Sequence, residues 1–209
     1  YGFIRFGSRV DVYLPPDGRI NIRSPGGREG GVAYTDWAIG KFIDDARRRP
    51  WFDQTLFVIV ADHCASVAGK TRLPVEGYRI PLIFYAPKLV VPGEYTPTMS
   101  QIDIPPTILD VLRADGDDHF FGRSVFEVPG APARAFVSNY QSLGYLRDGV
   151  LTVLTPGRKV ESFRVDPVTR ETAPMPVDQA YAREAIAYYQ TAARAFKQGA
   201  LRAPGYAPH

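Results

Sequence analysis

The chain has 209 residues, of which 45% are hydrophobic and 22% charged, and its formal net charge is +3. These values are ordinary for one globular domain or a large part of one. The basic residues are scattered apart from the arginines at 47–49, so the charge pattern does not indicate nucleic-acid binding. A single cysteine, Cys64, excludes a disulfide within the chain. No apolar run approaches the about 20 residues that span a bilayer.

The first half of the chain alternates between loops, a helix and short apolar runs. Residues 1–31 are rich in glycine, arginine and proline, which predicts one or two short strands followed by a loop. A helix follows, with Thr35 as its N-cap, and it ends before Pro50 because proline disfavours helix at the preceding residue. The runs 55–61 and 80–86 are short, apolar and rich in β-branched or aromatic residues. Such runs are typical of central strands in a covered parallel sheet.

The second half predicts a helix, several strands and a last helix. Residues 103–112 are predicted to form a helix with prolines in its first turn. Residues 134–165 hold shorter strands, with a turn at Asp148–Gly149. The last helix starts at about 178, and its apolar stripe consists of Ala182, Ile186, Tyr189, Ala193 and Phe196. The order of elements predicts an α/β fold with a mostly parallel sheet, helices on both faces, a small C-terminal antiparallel region and a terminal helix.

An acid and a histidine follow the first apolar run, in the segment VIVADHCASVAGK at 58–70. In open α/β sheets, ligands bind beyond the carboxyl ends of the strands. Asp62 supplies a hard oxygen anion and His63 a neutral nitrogen, so the pair can form half of a divalent metal site. The dipeptide alone leaves a structural alternative open, in which Asp62 caps the next turn and His63 has a purely structural role.

Two further residues of this segment could take part in chemistry. Cys64 and His63 point in opposite directions if the chain stays extended, so we do not expect them to share one metal. A small buried cysteine is the ordinary alternative to a reactive one. Lys70 follows a stretch of small residues, where its ammonium group suits a phosphate or sulfate oxygen, although it can equally be a solvated surface charge.

Five segments resemble, in their order and spacing, the sulfatase-like part of the alkaline phosphatase superfamily. The resemblance covers residues 32–126, weakens through the strands at 135–165, and is closest to the lipoteichoic acid synthase and phosphoglycerol transferase branch. The segments are YTDWAIGKFID (34–44), FDQTLFVIVADHCA (52–65), YRIPLIFYAPKLVVPGEY (78–95), SQIDIPPTILDVL (100–112) and FFGRSVF (120–126).

The resemblance implies roles for particular residues. Asp62 and His63 would bind the catalytic divalent metal, Lys70 would contact the transferred group, and Asp103 would cap the helix that follows the SQID turn. The family nucleophile, a Thr or Ser, is expected upstream of this chain, as is a further acidic ligand. No histidine follows the pair at the spacing found in two-zinc relatives, so one Mn²⁺, Mg²⁺ or Ca²⁺ ion is favoured over zinc.

The same resemblance implies an organisation and an activity. Residues 1–130 would be the C-terminal part of a sulfatase-like α/β catalytic domain, and residues 131–209 its small antiparallel strands and terminal helix. The intact protein is expected to transfer or hydrolyse phosphoryl or sulfuryl groups, as a phosphoglycerol transferase acting on envelope lipids or glycans. A true sulfatase or phosphodiesterase, or a non-catalytic binding protein, are the alternatives.

The resemblance also implies a location for the intact protein. We expect it in a bacterial inner membrane, held there by an N-terminal part that this chain lacks, with its catalytic domain facing the periplasm or cell exterior. The chain itself is expected to be soluble and, without the nucleophile, inactive.

Overall fold

A computed structural model describes residues 27–63, 73–114, 119–126 and 133–201. The chain divides into two compact units, Tyr1–Leu56 and Phe57–His209. The first unit contains helix α1, Gly27–Ala46. The second contains β1 Phe57–Val60, β2 Leu82–Tyr85, α2 Ile104–Val111, β3 Arg134–Ser138, β4 Leu143–Arg147, β5 Val150–Thr155, β6 Lys159–Val165, β7 Thr172–Met175 and α3 Gln179–Gln198. The proposed boundary at residue 130 stays a prediction.

Helix α1 begins earlier than the sequence predicts. Residues 27–31, expected to be loop, form its first turns, and the expected strands before them lie outside the described residues. Thr35 is therefore inside the helix, where its hydroxyl donates to the carbonyl of Gly31 at 3.0 Å and caps nothing. A threonine hydroxyl can bond the preceding turn in this way, so a potential cap residue does not by itself fix a helix start. The predicted end before Pro50 is confirmed.

Strands β1 and β2 form a two-stranded antiparallel sheet, with Phe57 opposite Tyr85 and Val60 opposite Leu82. The mixed α/β class is confirmed. Each run was expected in a mostly parallel sheet, but these two strands pair with each other antiparallel. Apolar composition indicates that a strand is covered and carries no information on its direction relative to a neighbour. Ile83 of β2 is 52% exposed.

The five remaining strands form an antiparallel sheet in the order β3-β4-β5-β6-β7. The predicted turn between β4 and β5 is confirmed: Asp148 and Gly149 both have positive φ, 49° and 73°, as the tight turns of β-hairpins require. The sequence did not predict β7, which contains Pro174 and shows no alternation. This strand lies at the edge of the sheet, where proline is tolerated because no second neighbour needs its missing N–H.

The two faces of this sheet are covered by different parts of the chain. One face, with Leu151 and Val153 at its centre, packs on residues of the segment before β2, including Leu73 and Val75. On the opposite face, Phe136 contacts the rings of two α3 tyrosines, Tyr188 and Tyr189. The antiparallel region and terminal helix predicted from the sequence are thus present, and α3 is part of the core structure.

Helix α3 has the predicted start and a shorter apolar stripe than predicted. Its N-cap Asp178 accepts from the amides of Ala180 and Tyr181, and Ala182 is buried. Phe196, at the far end of the predicted stripe, is 77% exposed. Tyr189, in the middle of the helix, donates to the carbonyl of Gly144 at 3.0 Å. Burial raises the pKa of Tyr189 to about 12, so its hydroxyl keeps the donated proton at neutral pH.

Candidate metal site

Asp62 and His63 lie just beyond the carboxyl end of β1, where the chain bends. Their side chains are 88% and 66% exposed. Asp62 Oδ1 accepts from the backbone N–H of His63 at 2.9 Å, and Asp62 Oδ2 lies 3.6 Å from His63 Nε2. Side chains alternate between faces only within a strand, so the bend allows these neighbouring side chains to lie together.

The chemistry of this pair fits one divalent cation. Ligand atoms lie about 2.0–2.6 Å from Mg²⁺ or Ca²⁺, so two donor atoms 3.6 Å apart can both contact one such ion. Two ligands are half of a usual site, and within the described ranges no group of three or more His, Cys, Asp or Glu side chains converges. The structure places the two predicted ligands together and provides no third one among the residues it describes. Lys70 and Cys64 lie outside the described residues.

Gln101, in a turn of 3-10 helix at Gln101–Asp103, connects the pair to the rest of the fold. Its amide Nε2 donates to the main-chain carbonyl of Asp62 at 3.3 Å and to that of Ala61 at 3.5 Å. These bonds join two parts of the sequence that are about forty residues apart. The SQID segment therefore contacts the backbone that carries the candidate ligands.

The turn that carries Gln101 is fixed by a buried ion pair. Asp103 and Arg134 are each only 4% exposed at the side chain, and both guanidinium ends bond the carboxylate, at 3.1 and 3.3 Å. The same carboxylate accepts the backbone N–H groups of Ser100 and Arg123, at 2.8 and 3.0 Å. These four donors around one buried carboxylate fix the position of the turn.

The expected role of Asp103 as cap of α2 is wrong. The residue occupies the N-cap position, but its side chain accepts no hydrogen bond from that helix. Its carboxylate points back to Ser100 and across to Arg134 instead. The sequence could not show this, because Arg134 is in a later strand and only the fold brings the two charges together.

Segment 119–126 packs tightly on the same turn. Thr107 of α2 donates to the carbonyl of Asp103 at 2.6 Å and accepts from the backbone N–H of Val125 at 3.2 Å. Ser124 donates to the carboxylate of Asp110, also in α2. The FFGRSVF and SQID segments, separate in sequence, thus form one hydrogen-bonded structure next to the candidate metal site.

Replacing Gly122 by alanine is expected to destabilise this structure by about 3 kcal/mol, at the upper end of the usual effect of overpacking. A Cβ at this position would lie 1.8 Å from the carbonyl oxygen of Ile102 and 2.9 Å from the Cα of Asp103, both backbone atoms that cannot rotate away. Gly93→Ala is the matched control, because no atom lies within 4 Å of its added Cβ. Urea unfolding of both variants checks the prediction, and equal midpoints would contradict it.

Comparison with known proteins supports a class for this protein. Residues 12–114 match the Sulfatase family model. A crystal structure of a protein in the alkaline phosphatase superfamily from Vibrio parahaemolyticus is 29% identical and superposes with a TM-score of 0.84. The match covers 94% of this chain and 49% of that one, so the chain spans about half the length of that protein. Both findings support the alkaline phosphatase superfamily as the class of this protein.

Proposed function

We propose that the intact protein is a metal-dependent enzyme that transfers or hydrolyses phosphoryl or sulfuryl groups, with phosphoglycerol transfer as its activity. The observation that carries the proposal is the exposed Asp62–His63 pair, at the end of a strand within the range that matches the Sulfatase family. Its donor atoms are suitable for a divalent cation and reachable from solvent. Superfamily enzymes combine such a cation with ester chemistry.

The roles of this chain's residues follow from their chemistry. Asp62 and His63 would hold one Mn²⁺, Mg²⁺ or Ca²⁺ ion, His63 in its neutral form and Asp62 as an anion. Such an ion, when bound, neutralises charge on the transferred oxyanion and lowers the pKa of an attacking hydroxyl. Lys70 would donate to a non-bridging oxygen of the same group. Gln101 of the SQID turn donates to the main-chain carbonyl of Asp62.

The nucleophile of the proposed reaction would come from a part of the intact protein outside residues 1–209. A Thr or Ser hydroxyl would form a bond to phosphorus or sulfur and lose its proton, while the ester oxygen leaves with a proton as an alcohol. An acceptor alcohol or water then displaces the enzyme oxygen in the same way. This chain by itself would be inactive, and a measured esterase rate from it would contradict the assignment.

The proposed substrate is an ester of an envelope lipid or glycan, and the proposed location is the outer side of a bacterial inner membrane. The resemblance to the phosphoglycerol transferase branch supports both. Within the described ranges, no helix is both long and apolar enough to cross a membrane. We propose that another part of the intact protein attaches it to the membrane.

The proposal is tested on the intact protein after removal of metals with EDTA. We expect Mn²⁺, Mg²⁺ or Ca²⁺ to restore diacylglycerol release from phosphatidylglycerol vesicles. Metal-restored hydrolysis of p-nitrophenyl sulfate alone would instead support a true sulfatase, the alternative favoured by the Sulfatase match. Metal binding without turnover of any ester would support the non-catalytic alternative, and absence of metal binding would overturn the proposal.

A further inference from the structure

We propose that Gln101 is a positioning residue, which sets the orientation of the Asp62–His63 pair by holding the peptide group between them. This inference rests on the proposed metal site. Gln101 Nε2 donates to the carbonyl of Asp62, which belongs to that peptide group, at 3.3 Å. The ψ angle of Asp62 and the φ angle of His63 set how the two Cα–Cβ bonds are oriented relative to each other, and a hydrogen bond to their shared peptide restricts both angles.

The pair needs such support because it lies beyond the paired part of its strand. The register of β1 with β2 ends at Val60, opposite Leu82, and the N–H of Ala61 adds one further bond to the carbonyl of Pro81 at 3.4 Å. At residues 61 and 62 the carbonyls accept from Gln101 instead. An amide group carries two N–H donors, so one Gln101 side chain can serve both carbonyls.

Gln101 extends from a base that does not move easily. Its neighbours Ser100 and Asp103 are buried, and the carboxylate of Asp103 is bonded by the guanidinium of Arg134 at 3.1 and 3.3 Å. The Gln101 residue itself is exposed. Because the turn around Gln101 is fixed and its side chain is exposed, we expect loss of this side chain to change the site and to leave the fold intact.

The chemical identity of glutamine suits this position. Its amide donates to two carbonyls without adding a positive charge beside a cation site, as lysine or arginine would. Glutamate has nearly the same shape, but its anionic oxygens would face the carbonyl oxygens of Ala61 and Asp62 and repel them. We therefore expect that orienting the Asp62–His63 pair requires both the N–H donors of Gln101 and its lack of charge.

The test compares Gln101→Met and Gln101→Glu with wild-type intact protein. Groups that support metal ligands typically change metal affinity by about 10–100-fold, so we expect a Kd for Mn²⁺ about 10-fold weaker in Gln101→Met, measured by calorimetry. In the metal-free protein, the ¹⁵N order parameter of the His63 amide should fall. The melting temperature should stay unchanged, which separates positioning from loss of fold.

Gln190→Met, on the exposed side of α3, is the matched control and should leave every measurement unchanged. If Gln101→Met binds Mn²⁺ as tightly as wild type, the positioning role is overturned. If wild-type protein binds none of Mn²⁺, Mg²⁺ and Ca²⁺, the proposed metal site is overturned, and the order parameter of the His63 amide alone then tests the positioning role. A lower order parameter in Gln101→Met supports the proposal that Gln101 holds the peptide. An unchanged order parameter overturns that proposal.

Discussion

Replacing Asp62 by alanine in the intact protein is expected to lower ester turnover on the order of 10³-fold, because a catalytic metal contributes several kcal/mol and each ~1.4 kcal/mol is tenfold in rate. The substitution removes the only anionic donor of the described pair, whose carboxylate lies 3.6 Å from His63 Nε2. The residue is 88% exposed at the side chain, so the fold should remain stable. Turnover and Mn²⁺ binding are measured together.

A second substitution at Asp62 separates the effect of the lost charge from the effect of the lost side-chain atoms. Asp62→Asn keeps the size and loses the negative charge, so it should bind Mn²⁺ more weakly than wild type and retain more affinity than Asp62→Ala. Asp36→Ala, an exposed aspartate of α1, is the control and should have no effect. Normal turnover in Asp62→Ala would refute the assignment of this pair, whatever the identity of the substrate.

Replacing Arg134 by methionine is expected to destabilise the protein by about 3–5 kcal/mol, because removal of one partner leaves a buried charge without compensation. Arg134 and Asp103 are both 4% exposed, and the guanidinium also lies 5.3 Å from the ring centre of Phe136 and 5.6 Å from that of Tyr188. The substitution therefore also loses packing between the sheet and α3. Urea unfolding of the intact protein measures the change.

Two further variants test whether the destabilisation by Arg134→Met is due to the burial of the ion pair. Lys41→Met breaks the exposed pair with Asp45 and should leave the urea midpoint nearly unchanged, because exposed ion pairs on a helix contribute little to stability. The double variant Asp103→Ala with Arg134→Met should be less destabilised than the sum of the single variants, because neither charge is then left alone. Additive effects would show that the two side chains are not coupled in the folded protein.

Local chemistry was sufficient to predict most of the second unit. The Asp148–Gly149 turn followed from two residue types that tolerate positive φ. The entry to α2 followed from prolines that are tolerated only in a first helical turn. These predictions succeed because the determining interactions lie within a few residues of each other. In contrast, β7 depends on its place at the sheet edge, which no local pattern shows.

The sequence predicted only part of the candidate site, again the part whose residues are neighbours in the chain. Asp62 and His63 are adjacent, so their types alone suggested a metal site, and the structure shows them exposed together at the end of β1. Gln101 lies within the SQID segment, but nothing in that segment shows that its side chain reaches residue 62. The segment predicted a turn, but the Asp103–Arg134 pair that fixes this turn involves a residue from a later strand.

By itself, the sequence determined the mixed α/β class, most strand and helix positions, and the adjacent donors of the candidate metal site. The tertiary structure alone decided that β1 and β2 run antiparallel, that Asp103 pairs with Arg134, and that Gln101 holds the peptide after Asp62. The physical reason is the range of the interactions. Propensity and turn geometry act between neighbouring residues, whereas strand direction and buried charge pairing depend on residues that meet only after the chain has folded.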